Sequence, residues 1–114
     1  IVCVGESLQI KETEKTKDHL RNQLSVLDSE TEDLIVAYEP IWAIGTGLVP
    51  TEKEIDEAIG SIREIFKKPI KVLYGGSVKA SNAQILLDNT DINGLLVGGA
   101  SLNAQEFAKI AQLC

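Results

Sequence analysis

The chain has 114 residues, 44% of them apolar and 25% charged, ordinary proportions for one globular domain. A formal net charge of −6 argues against nucleic acid or an anionic membrane surface as partner, and with 11 Lys and Arg in all, any bound phosphate would be held largely by backbone amides. No apolar run approaches the ~18–20 residues of a membrane span, and the charged stretch after Ser7 cannot serve as a signal peptide, so a cytoplasmic setting is expected.

Ile1-Val2-Cys3-Val4 opens the chain as an apolar, strand-like run without an initiator Met, a beginning that predicts truncation or processing. Cys3 in this run and Cys114 at the other end make neither a disulfide framework nor a metal motif, and free thiols are expected. The helix that follows is charged except for a narrow stripe of Leu20, Leu24 and Leu27; His19 lies within it and reads as a surface residue. A second apolar run, Leu34–Tyr38, ends on Glu39. After the loop beyond it, Thr51 and Glu54 form a T-x-x-E capping box, and Ile55, Ala58, Ile59, Ile62 and Phe66 recur at helical spacing. The third run is Ile70–Tyr74, followed by an S-x-x-Q box of Ser81 and Gln84 ahead of Ile85, Leu86 and Leu87. The fourth is Gly94–Val97, and Asn103 with Glu106 marks the last helix, with Phe107, Ile110 and Ala111 as its apolar face.

The four runs are short, rich in β-branched residues and apolar at successive positions, as in parallel strands. Four βα units in 114 residues average about 28 each, near the size of one-eighth of a (β/α)8 barrel. A doubly wound open sheet fits this periodicity equally well, so pattern alone reaches parallel α/β and no further. No linker, low-complexity segment or second domain is visible.

The chemistry concentrates in Ala37-Tyr38-Glu39-Pro40-Ile41-Trp42-Ala43-Ile44-Gly45-Thr46-Gly47. A strand ends on a carboxylate, Pro40 stops the ladder, and a loop joins bulky apolar residues to two glycines. That is the pattern of an acid or base under a lid: the apolar residues exclude water and the glycines let the backbone swing or approach a ligand. Closure would desolvate Glu39 and strengthen it as a base. A Glu39 that only caps the strand end or pairs with a Lys satisfies the same pattern. Two further segments, Tyr74-Gly75-Gly76-Ser77-Val78 and Leu96-Val97-Gly98-Gly99-Ala100-Ser101, place a Gly pair after a strand, where consecutive N–H groups can converge on an anion. No metal is implied, since no His/Cys/Asp cluster has ligand spacing.

The eleven residues A-Y-E-P-I-W-A-I-G-T-G closely resemble the signature of the triosephosphate isomerase family. C-V-G-E at Cys3–Glu6, Y-G-G-S-V at Tyr74–Val78 and L-L-V-G-G-A-S-L at Leu95–Leu102 resemble that family's later strands, in order and across essentially the whole chain. The resemblance implies a TIM barrel of which residues 1–114 are the C-terminal half, strands five to eight. It implies that Glu39 is the base that shuttles a proton between the carbons of dihydroxyacetone phosphate and glyceraldehyde 3-phosphate, with Gly45, Ser77, Gly98 and Gly99 binding the phosphate. By the same resemblance Ile44 and Leu96 form an apolar clamp on Glu39, Tyr74 and Ser77 latch the closed lid, and Glu6 is a partner for Trp42 when the lid is open. Base, electrophile and anion stabilisation suffice for this chemistry, so no cofactor is expected.

The family's catalytic Lys and Asn follow its first strand and its electrophilic His the fourth; His19 does not match that histidine. The chain alone is therefore expected to be inactive, completed either by an N-terminal half or paired with a second copy. A non-catalytic phosphate-binding half-barrel is the alternative. Other phosphate-binding barrels, such as those of tryptophan or histidine biosynthesis, lack resemblance to the E-P-I-W-A-I-G-T-G loop. Two departures from the family, Lys11-Glu12-Thr13-Glu14 for its usual Arg-Glu-Ala-Gly and Leu48-Val49-Pro50 at the lid hinge, are expected not to touch the residues given roles above.

Overall fold

A computed structural model describes residues 1–27, 31, 33–66 and 68–113; Cys114 lies outside them. Three parallel strands, β1 (Val2–Val4), β2 (Ile35–Tyr38) and β3 (Lys71–Tyr74), pair in chain order. Their register aligns Val4, Tyr38 and Tyr74 at the C-terminal edge, with Cys3, Ala37 and Leu73 one step before.

Side chains alternate across a strand, so that register divides the sheet into two faces. Val4, Val36, Tyr38, Val72 and Tyr74 pack into one core with Leu20, Leu24, Ile55, Ile59, Ile62, Phe66, Leu86 and Ile110 from the helices. On the opposite face Ala37 of the central strand is buried, while Cys3 is exposed and Leu73 half-buried. A run of successive apolar residues predicts cover on both faces; here the helices cover one, because four βα units do not close a barrel around the other.

The segment after β1 folds as two helices, α1 (Leu8–Glu12) and α2 (Thr16–Leu24), where the charge pattern predicts one. Glu14 lies between them with φ 57°, a left-handed conformation that ends α1. Leu20 and Leu24 are buried, Leu27 lies past the helix end and packs against the core, and His19 is half-buried rather than fully at the surface. Helix α3 (Glu52–Arg63) starts on the anticipated capping box: Thr51 accepts from the Glu54 N–H and Glu54 accepts from the Thr51 N–H.

Helix α4 (Ala80–Asn89) begins before the S-x-x-Q box, because Asn82 accepts from the Lys79 N–H at 2.8 Å and donates to the Ser77 carbonyl at 2.8 Å. Ser81 and Gln84 therefore lie inside the helix; Leu86 is buried while Ile85 is exposed. Asn103 caps α5 (Ala104–Ala111) as anticipated, accepting from the N–H groups of Gln105 and Glu106. Only Ile110 of its expected apolar face is buried; Phe107 and Ala111 are exposed.

The run Gly94–Val97 forms a single parallel bridge, Tyr74 to Leu95, and no full strand. Three backbone bonds hold it, from Asn93 N–H to Val72, Tyr74 N–H to Gly94 and Leu96 N–H to Tyr74. A strand paired on one side only, with glycines at both ends, has little to extend the ladder.

Candidate active site

Glu39 follows β2 directly, at the C-terminal edge of the sheet. Backbone bonds from Glu39 N–H to Val4 (2.7 Å) and from Gly75 N–H to Tyr38 (2.9 Å) carry the ladder past the strand ends and seat the residue between its neighbours. Two glycines make the seat possible. A Cβ on Gly5 would collide with the Glu39 carbonyl. One on Gly75 would stand 2.7 Å from Glu39 Cγ and 2.8 Å from its Oε1, closer than real Cβ atoms come. Gly5 is held in turn by Gln23 of α2, whose side-chain amide accepts from its N–H at 3.0 Å and donates to its carbonyl at 3.1 Å.

Cys3 pairs with Ala37, two residues before Glu39, so its thiol lies on the face of the sheet that carries the Glu39 carboxylate. Partial burial, then the neighbouring Glu39 charge, pushes the thiol pKa up, which favours the protonated thiol.

The loop after Glu39 forms a 3₁₀ turn at Ile41–Ala43, then turns through Gly45 (φ 68°) and Gly47 (φ 81°). Both are left-handed positions that favour glycine. The loop is fastened at two points. Ser77 Oγ donates to the Ala43 carbonyl at 2.6 Å and accepts from the Gly47 N–H at 3.1 Å. Trp42 Nε1–H donates to Glu6 Oε1 at 2.9 Å, and Tyr38 OH donates to the same oxygen at 3.1 Å. Both fastenings occur together, with Ile44 still 49% exposed.

The Tyr74 hydroxyl is buried beneath Gly76, with no hydrogen-bond partner among the described residues, and burial lifts its pKa from 10.0 to about 12. Glu6 is 1% exposed, and its Oε2 likewise lacks a partner among the described residues. Ile44 keeps 49% of its surface in solvent and Leu96 is half-buried, so the expected clamp is not closed over Glu39.

A shallow recess of about 360 Å³ lies beside the loop, lined by Gly45, Gly47, Val78, Lys79, Gly99, Ala100 and Glu106. Gly45 and Gly99, expected to share an anion, thus meet across one space. Gly98 is outside this lining, and the Ser77 hydroxyl is committed to the loop. Lys79 is the cation of the lining and was not anticipated; it directly follows the Y-G-G-S-V segment that pointed to the recess. Among the described residues no group of three or more His, Cys, Asp or Glu side chains could hold a metal, and no helix is long and apolar enough to cross a membrane.

One expectation is overturned at the loop's outer side. The Lys11-Glu12-Thr13-Glu14 segment does touch a residue given a role, since Lys11 Nζ sits 3.8 Å from the centroid of the Trp42 ring and pairs with Glu54 at 2.9 Å. Partial burial would raise the Glu54 pKa, but donors from Lys11 and Thr51 outweigh it and hold the carboxyl below its ordinary value.

Residues 1–114 match the triosephosphate isomerase family throughout. Among curated relatives, the triosephosphate isomerase of Bradyrhizobium diazoefficiens is 47% identical, aligned over all of this chain and 49% of its own length. Those of Mesomycoplasma hyorhinis and Chlamydia felis are 46% and 44% identical, over 99% and 96% of this chain and 47% and 48% of theirs. The chain spans about half the length of the relatives it matches. With its parallel α/β sheet and a carboxylate at the C-terminal edge, it belongs to the triosephosphate isomerase family as part of a TIM barrel.

Proposed function

We propose that this chain carries the base and part of the phosphate cradle of a triosephosphate isomerase, with residues 1–114 serving as the C-terminal four βα units of the barrel. Glu39 takes a proton from the carbon beside the carbonyl of dihydroxyacetone phosphate, leaving an enediolate. The hydroxyl proton then passes from the oxygen of that carbon to the former carbonyl oxygen, a transfer served by the rest of the barrel, and Glu39 returns its proton to the adjacent carbon, giving glyceraldehyde 3-phosphate. Gly45 donates its N–H to the phosphate, Gly98 and Gly99 bind it from the other side, and Lys79 adds the positive charge that the acidic chain otherwise lacks there. Ile44 and Leu96 dry the carboxylate as the loop closes, and Ser77 holds that loop. The electrophile that polarises the carbonyl comes from the rest of the barrel, as a separate N-terminal half or the remainder of a longer chain. The natural setting is the cytoplasm, and neither nucleic acid nor membrane takes part.

The observation that carries this reading is the seat of Glu39. Its carboxylate lies against a glycine that leaves it room, at the root of a loop fastened by Ser77, and that same loop reaches the recess shared by Gly45 and Gly99. The test is complementation. The 114-residue chain alone should show only trace isomerisation, since loss of a single oxyanion donor already costs ~10²–10³ in rate. Mixing with a separately produced N-terminal half should restore turnover, with sedimentation showing a one-to-one pair in place of self-associated copies. In the restored enzyme Glu39→Asp should lower kcat far more than it raises KM, because the carboxylate retreats one methylene from the proton. Near-normal turnover by the chain alone, or equal losses in kcat and KM, would refute the assignment.

A further inference from the structure

Two side chains hold Trp42, the single tryptophan of the chain, and a third holds one of them. Glu6 takes the indole N–H at 2.9 Å, and Lys11 lies over the ring at 3.8 Å from its centroid. The Lys11 ammonium is itself held by Glu54 at 2.9 Å, and Glu54 is the residue that closes the capping box of α3. All four line one cleft of about 720 Å³ between the helices.

The two contacts on the indole are not equivalent. A hydrogen bond at the ring edge leaves the ring free to pivot about Nε1. A cation on the ring face removes that freedom, and partial desolvation strengthens it; 30% of the Lys11 side chain remains exposed. Trp42 is the centre of the Ile41–Ala43 turn, so whatever holds the indole also sets the root of the loop that runs on to Gly47.

We propose that Lys11 is a positioning residue: it clamps the face of Trp42 while Glu6 holds its edge, and through Glu54 it ties the root of the 41–47 loop to the first turn of α3. Its consequence for turnover rests on the isomerase reading; the clamp itself does not.

Because the chain has one tryptophan, its fluorescence reports on this site alone. Acrylamide quenching and time-resolved anisotropy would be measured on the 114-residue chain, with far-UV circular dichroism as a check on folding. Lys11→Met keeps the apolar stem and removes the charge. It should raise the freely moving, quenchable fraction of Trp42 by about two- to tenfold, with the dichroism unchanged. Lys11→Arg should restore the wild-type values, since a guanidinium stacks on the ring as well. Should Lys11→Met unfold the chain, Glu54→Gln decides, because it keeps an acceptor for the capping box and loses the charge that holds Lys11; it should release the indole in part. Quenching and anisotropy unchanged in Lys11→Met, or in Glu54→Gln where that variant decides, would overturn the proposal, as would Lys11→Arg behaving like Lys11→Met. Failed complementation with an unchanged clamp refutes only the isomerase reading, and a mobile indole in an active wild-type enzyme refutes only the clamp.

Discussion

Glu39 shows how little of a catalytic residue's setting belongs to the residue itself. Its position depends on the absence of a side chain at Gly75, where a Cβ would meet Glu39 Cγ at 2.7 Å. Gly75 has no left-handed backbone of its own, so an alanine there strains nothing except the carboxylate. Gly75→Ala should therefore leave the folded chain intact and displace Glu39, lowering kcat of the completed enzyme by about 10²-fold, the scale of a misplacement near 1 Å. KM for substrate should change far less. A variant that keeps its kcat, or loses stability instead, would show that Glu39 is not seated against this glycine.

At the scale of elements, the break between α1 and α2 falls on a residue poorly suited to it. Glu14 adopts φ 57°, which costs an L-residue with a Cβ about 1 kcal/mol that glycine avoids. Glu14→Gly should raise the midpoint of urea unfolding slightly, by a net gain of up to about 0.5 kcal/mol after the extra freedom of the unfolded chain is subtracted. An unchanged or lowered midpoint would mean that Glu14 finds a compensating interaction. The other elements carry better-matched ends: Thr51 and Glu54 cap α3 reciprocally, and Asn103 caps α5. They also carry the ligand-facing loops, which explains why the recess beside Gly45 and Gly99 is bounded by the starts of two helices.

For the molecule as a whole, the core under the sheet centres on Tyr38 and Tyr74, both 2% exposed or less, with ring centroids 6.5 Å apart. Burial lifts both pKa values, Tyr74 to about 12 and Tyr38 further, with Glu6 adding to the latter. Raised folded values mean that these groups contribute their full stability below the ordinary pKa of 10.0 and lose it as pH climbs towards and past 12. They are the two tyrosines of the chain. A spectrophotometric titration should therefore show no tyrosinate step near pH 10 while the circular dichroism stays native, and both should ionise as the chain opens. A reversible step near pH 10 in the folded chain would contradict the burial that organises this core.

Local chemistry was legible from the residues in order along the chain. The T-x-x-E box at Thr51, the Asn103 cap, the helical stripe from Ile55 to Phe66 and the three runs that became β1 to β3 all express preferences satisfied within a few residues. The loop from Glu39 to Gly47 was legible for the same reason, since its Pro, apolar residues and glycines are contiguous. What depends on approach between distant segments was not. Gly75 makes room for the side chain of Glu39, far earlier in the chain, Gln23 pins Gly5, Lys11 covers Trp42, and the Tyr74 ring turns into the core. Nor could the run Gly94–Val97 reveal its own fate: it has the composition of a strand, yet a strand is completed by its neighbours, and here it meets one only at Tyr74. Caps and periodicities are written into adjacent residues, whereas packing faces, space around a carboxylate and the two sides of a ladder exist only once the chain has folded back on itself.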